Sequence, residues 1–301
     1  MKFNNKSKFL MVGGVVFANL LFSQSILAQD YNNIKKLNDQ QIINIKAKAL
    51  NGDVNKQSAL CSLYTYGILG VKKDFREARK WCKMAAENND FKSEHLLWHS
   101  YFSEYRESKN KDLLKLALRY LKLGPDLYIN DVKKYNEIIE YIALCYMELN
   151  DYQGMKNFFL ERSKAGDSES AFALFDLCII DDVRLKDIKL AKEQLFRAAS
   201  LGSPYAQFNL GQAYVGVDVG GLDIEKNYSK ALNWYKKFLS NKKTDPTSKD
   251  ALKARHNLAF MYQKGYGTPA NVAKALELYR LNCNYGLKAD CSAIDKINKK
   301  Q

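Results

Sequence analysis

The chain has 301 residues, of which 47% are hydrophobic and 27% charged, with a formal net charge of +14. That length and apolar content suffice for a sizeable core in one large domain or two ordinary ones, and they exclude a disordered chain. The basic residues are spread over most of the sequence, with no single arginine-rich patch. This reads as a solvated, Lys-rich surface, the alternative being a preference for acidic partners or an anionic membrane face, and not as a nucleic-acid footprint.

The first element is a leader. Lys2, Lys6 and Lys8 precede the apolar run FLMVGGVVFANLLF, and SQSILA ends at Ala28 before Gln29 and Asp30. A basic start, an apolar stretch and a small final residue mark a secretory signal peptide. We therefore expect a signal over residues 1–28 and a mature domain over 29–301. The alternative is an uncleaved anchor helix, against which Gln24 and Ser25 interrupt the apolar run. No Cys lies near the cut, so a lipid anchor is not indicated.

Asp39 to Leu50 reads as a helix with Ile42, Ile43, Ile45, Ala47 and Leu50 on one apolar stripe. Gly52 stops it and Asp53 caps the next helix, which carries Ala59, Leu60, Leu63 and Tyr64. A turn at Gly67 to Lys73 leads to Asp74 and a helix with Ala78, Trp81, Ala85 and Ala86. The unit is helix, Gly-containing turn, capping Asp, helix. It returns at Gly166-Asp167, with Ala171, Leu174 and Leu177, then Asp187 with Ala191, Leu195, Ala198 and Ala199. Gly202-Ser203 opens a further unit through Ala206, Leu210-Gly211, Tyr214, Lys230-Ala231 and Trp234-Tyr235. Ala254 to Tyr279 is the clearest copy, and Gly286 closes it. Residues 216–224 and 240–250 have loop composition and lengthen the spacing. Residues 90–165 are less regular but still read as amphipathic helices. One such pair cannot bury its apolar face alone, so the pairs stack.

These offsets resemble the SEL-one-like repeat family, relatives of the tetratricopeptide repeats, whose pattern runs A-x3-L-G-x2-Y-x2-G-x-G-V-x2-D-x2-K-A-x2-W-Y-x2-A-A-x2-G. Ala254–Tyr279 carries it with Ala259, Thr268, Asn271 and Leu278 as departures. Gly70–Ala86 and Ala206–Tyr235 carry it too, and Ala191–Gly202 its second half. The resemblance covers about residues 55–85 and 165–291. It implies an all-α, right-handed α-solenoid of stacked antiparallel helix pairs, and a protein-binding scaffold without catalysis or cofactor. For an exported member it implies a periplasmic or secreted protein. Some relatives look like immunity proteins that neutralise secreted antibacterial phospholipases; an envelope adaptor assembling cell-wall or signalling proteins is the alternative. The partner is expected to be a protein, such as a secreted effector or an envelope protein, with no nucleic acid and no stable membrane insertion after cleavage.

All six cysteines lie beyond the leader. A cysteine-rich secreted branch of the family pairs two cysteines eight residues apart across a turn. The resemblance therefore implies a bridge between Cys283 and Cys291, around Gly286. Two buried thiols are the alternative to that bridge; Cys61 and Cys82 sit on the two antiparallel helices of one repeat and are a second candidate bridge across the pair. Cys145 and Cys178 are 33 residues apart, near one repeat length. They are a third candidate bridge, although helix axes about 8–10 Å apart strain the short Cα separation a disulfide demands.

The enzyme alternative rests on His95 and His99, four apart on one helix face, with Glu104 or a distant carboxylate as a third metal ligand. The order Glu-His-Leu-Leu-Trp-His differs from the zinc-protease motif, so ordinary helix histidines are the simpler reading. His256 reads as a packing or surface residue. Tyr214, Tyr235, Tyr262 and Tyr279, at repeat positions, are expected in the core. Tyr101 and Tyr105, off the pattern, are candidates for an exposed partner-binding face. Local function is expected where repeats differ, in residues 90–165 and the two inserted loops.

Overall fold

The computed structural model describes residues 36–128 and 131–299, so the leader read over residues 1–28 lies outside the described part. Among the described residues the regular structure is helical, and no helix is long and apolar enough to cross a membrane. The chain divides into two compact units, up to Met155 and from Lys156.

The first unit contains α1 (Asp39–Leu50), α2 (Val54–Tyr66), α3 (Phe75–Ala86), α4 (Phe91–Ser108), α5 (Lys111–Leu121), α6 (Val132–Leu149) and the start of α7 (Tyr152–Lys164). α2 packs on α3, α3 on α4, and α4 on α5. Trp81 is 2% exposed and fills the seam, its Nε1 donating to Glu77 Oε2 at 3.0 Å. The irregular region turns out to hold an ordinary helix pair, α4 with α5, followed by a single turn at Gly124–Leu127. A Cβ on Gly124 would lie 2.6 Å from the His95 ring, so only glycine fits there.

The second unit continues with α8 (Ser168–Cys178), α9 (Ile188–Ser200), α10 (Pro204–Tyr214), α11 (Tyr228–Ser240), α12 (Lys249–Lys264), α13 (Val272–Asn284) and α14 (Lys288–Asn298). The pairs α8–α9, α10–α11 and α12–α13 pack as hairpins, and each stacks on the next through α9–α10 and α11–α12.

One backbone bond recurs in these three hairpins and in α2–α3. The capping residue of the second helix donates its N–H to the carbonyl near the end of the first: Asp74 to Tyr64, Asp187 to Cys178, Asn227 to Tyr214 and Asn271 to Tyr262, at 2.8–3.1 Å. The same residues accept helix N–H groups on their side chains, as Asp74 does from Arg76 and Glu77. Insertion 216–224 is therefore carried outside a hairpin that closes as the others do. Asp53 and Asp167 cap as their sequence positions imply. Ser203 occupies the equivalent place but does not cap; its hydroxyl donates to Glu169 Oε2 instead, and Pro204 removes one helix N–H that would need a partner.

Two expectations are corrected. The apolar stripe of α1 is not buried: Ile43 is 57% and Leu50 62% exposed, and Ala49, outside the stripe, is its one buried residue. α1 has a substantial described neighbour in α2 alone, so only a narrow seam is covered. Tyr101 and Tyr105 are 7% and 6% exposed. Tyr101 stacks on Tyr120, and the Tyr105 hydroxyl donates to Glu148 Oε2 at 2.8 Å, which withdraws both from any exposed binding face.

Candidate functional site

The repeat positions of α10, α12 and α14 bring polar side chains to one place in the second unit. There an open recess of about 400 Å³ is lined by Gln212, Val215, Val217, Lys253, His256, Asn257, Leu287 and Ala289. Lys253, His256 and Asn257 share a helix face through their i, i+3, i+4 spacing. Val217 comes from the first inserted loop.

Two hydrogen-bonded networks support the recess from behind. In the first, Tyr235 is fully buried, and its hydroxyl donates to Gln212 Oε1 at 2.5 Å. Asn257 Nδ2 donates to that oxygen at 3.0 Å and to the Tyr235 hydroxyl at 2.8 Å. Burial pushes the Tyr235 phenol well up, so it remains protonated. In the second, His256 Nδ1 meets Asp290 Oδ1 at 2.5 Å, and Asn282 Nδ2 donates to Asp290 Oδ2 at 2.7 Å. Asn282 Oδ1 accepts from Arg255 Nη1 at 2.6 Å, and Arg255 also donates to the Pro246 carbonyl in the second inserted loop. Asp290 and Asn282 are 0% exposed and Arg255 is 4% exposed. A buried carboxylate and a buried guanidinium are thus joined through one amide, which offsets the cost of leaving water. His256 is the exposed end of this chain, with a side chain 40% exposed. Val217 of the first inserted loop lines the recess, and Pro246 of the second bonds Arg255 behind it.

Asp290, Asn282, Gln212 and Asn257 were not singled out from sequence. One signal was available for the first pair: each immediately precedes a cysteine, Asn282 before Cys283 and Asp290 before Cys291. Those two cysteines are at bonding distance, with Cα atoms 5.0 Å apart. Cys61 and Cys82 are likewise at bonding distance across α2 and α3, with Cα atoms 4.8 Å apart. Cys145 and Cys178, the third candidate pair, are free and fully buried. Each packs as a small apolar residue in its own unit. Burial pushes their thiols up to about 12 and about 11, which keeps them protonated.

The metal set His95, His99 and Glu104 is not assembled. His95 Nδ1 lies 3.3 Å from the Tyr120 carbonyl and Nε2 accepts from Trp98 Nε1 at 3.1 Å, so both ring nitrogens are engaged. Glu104 is paired with Arg79. His99 stacks on Trp98, with ring centroids 3.7 Å apart. Among the described residues no three His, Cys, Asp or Glu side chains are grouped to hold a metal ion.

Recurrent hairpins with one closing bond define an all-α helical-repeat protein. A family model for the Sel1 repeat matches residues 57–90, 204–241 and 252–281, and the chain carries three Sel1 repeats. The half-repeat read at Ala191–Gly202 is not among the matched stretches, although α8–α9 closes in the same way. Among solved structures, the chain is similar to a protective antigen of uropathogenic Escherichia coli strains displaying an SLR fold. Identity is 21% over 87% of this chain, with a TM-score of 0.53, and the match covers 52% of that protein, about half its length. That likeness shows a shared fold. A Sel1 repeat protein from Oxalobacter formigenes matches at 19% identity over 91% of this chain and 86% of its own, with a TM-score of 0.46. No curated protein sequence matches significantly.

Proposed function

We propose that the chain is an exported scaffold that holds another protein on its helical-repeat surface, outside the cytoplasm. The recess over α10 and α12 carries this reading. It combines half-exposed apolar side chains with polar groups held rigid from behind, which is how binding surfaces limit the entropy cost of association. Two cysteine pairs at bonding distance suit an oxidising compartment. The leader read over Met1–Ala28 supplies the route out. Binding would act by preorganised shape, blocking or positioning the partner, and needs no chemistry from the chain.

The specific partner we put forward is a secreted antibacterial phospholipase, which the chain would neutralise as a periplasmic immunity protein. This part rests on the resemblance together with the leader. The test mixes the purified mature chain with each product of its neighbouring genes, any phospholipase among them, and follows both complex formation and lipid hydrolysis. A stoichiometric complex with loss of hydrolysis is expected. A complex that leaves hydrolysis intact would replace immunity by an adaptor role. Failure to bind any neighbouring gene product would remove the immunity proposal.

A further inference from the structure

The Tyr235 triangle leaves two groups unspent. Gln212 uses its carbonyl oxygen and Asn257 its amide nitrogen. The Gln212 Nε2 donor and the Asn257 Oδ1 acceptor have no partner among the described residues. Turning both amides over would keep the triangle and still leave one donor and one acceptor outside it. A donor and an acceptor on the recess wall are the complement of one residue of an extended chain, whose N–H and C=O, from its two flanking peptide groups, point to the same side.

The surroundings extend that match. His256 engages Asp290 through Nδ1, which leaves Nε2 outside that contact for a further polar group of the peptide. Lys253 is exposed and makes no ion pair among the described residues, whereas the nearby carboxylate of Asp290 is buried and engaged. The free charge of the recess is therefore positive. Val215 and Leu287 are half-buried and offer an apolar seat.

We propose that this recess binds an extended, acidic peptide segment of the partner protein. The C=O and N–H of one extended residue pair with Gln212 and Asn257, a carboxylate meets Lys253, and an aliphatic side chain covers Val215 and Leu287. The proposal narrows the scaffold reading and rests on it. The Cys283–Cys291 pair gains a role beyond cross-linking, since Asn282 and Asp290 precede its two cysteines and bond to each other at 2.7 Å. It acts as a clasp that positions His256.

The test is selection of a random eight-residue peptide library on the oxidised mature chain, then fluorescence anisotropy with the enriched peptides. Enriched sequences should carry Asp or Glu near an aliphatic residue. Lys253→Glu should weaken them at least about tenfold. The paired Gln212→Leu and Asn257→Leu variant should do the same, as should N-methylation of one peptide amide, which removes a single donor. If the paired variant unfolds because Tyr235 loses its partners, Lys253→Glu and N-methylation still decide. No enrichment, enrichment without acidic residues, or affinity indifferent to both Lys253→Glu and N-methylation overturns the site. Peptides that bind but ignore both changes overturn the recess alone and leave the scaffold reading to the phospholipase experiment.

Discussion

Burial holds the His95 imidazole down to about 4 from its ordinary 6.5, against the opposing pull of the Tyr120 carbonyl. The ring is therefore neutral at pH 7, with one nitrogen donating and the other accepting. As pH falls, the unfolded chain takes up the proton first, so the folded state loses stability from pH 6.5 down to about 4. The expected loss is on the order of 3 kcal/mol. It should appear as a falling urea midpoint by circular dichroism, and His95→Gln should flatten the slope over that range. Little of this was legible beforehand. The i, i+4 spacing of His95 and His99 reports a shared helix face, but only packing reveals that Trp98 and Tyr120 use up the His95 nitrogens. Asp290 was equally hidden, because an isolated acid beside a cysteine looks like any surface acid until its burial is known. The tyrosines at 214, 235, 262 and 279 were legible, because repeated offsets fix them against the small residues that make room for them; all four are buried.

Among elements, the α10–α11 hairpin depends on a missing side chain. A Cβ on Gly211 would sit 2.6 Å from the Tyr235 ring. Gly211→Ala should therefore push that ring outward, at a cost of about 1–3 kcal/mol. It should also break the Tyr235–Gln212 bond that braces the recess. Thermal unfolding would measure the first effect and peptide affinity the second; unchanged melting and affinity would contradict the packing account. Gly267 meets a different demand, combining φ of +72° with a Cβ position 2.4 Å from the Tyr228 backbone. Hairpin identity and capping residues could be read from sequence because caps and turns are local. The facing of α1 could not. Periodicity shows which residues share a stripe, but a neighbour has to exist before the stripe is buried. The same limit applied to Tyr101 and Tyr105, whose burial depends on α5 and α6.

For the whole molecule, the family resemblance was legible because it needs only recurrent local offsets, and the matched Sel1 stretches fall on the hairpins it marked. Which cysteines pair is a property of stacked helices, and there the reading was incomplete. Cys145 and Cys178 lie near one repeat length apart, yet both remain free thiols inside the core. The proposal is of an exported scaffold braced by two cystine clasps, with its polar recess held by one of them. Intact mass spectrometry tests this most directly. The protein is recovered from producing cells under non-reducing, denaturing conditions with a thiol-alkylating reagent present. The predicted species begins at Gln29, carries alkyl groups on Cys145 and Cys178 alone, and takes up four more after reduction, at Cys61, Cys82, Cys283 and Cys291. A chain that retains its first 28 residues and is alkylated at all six cysteines before reduction would contradict it.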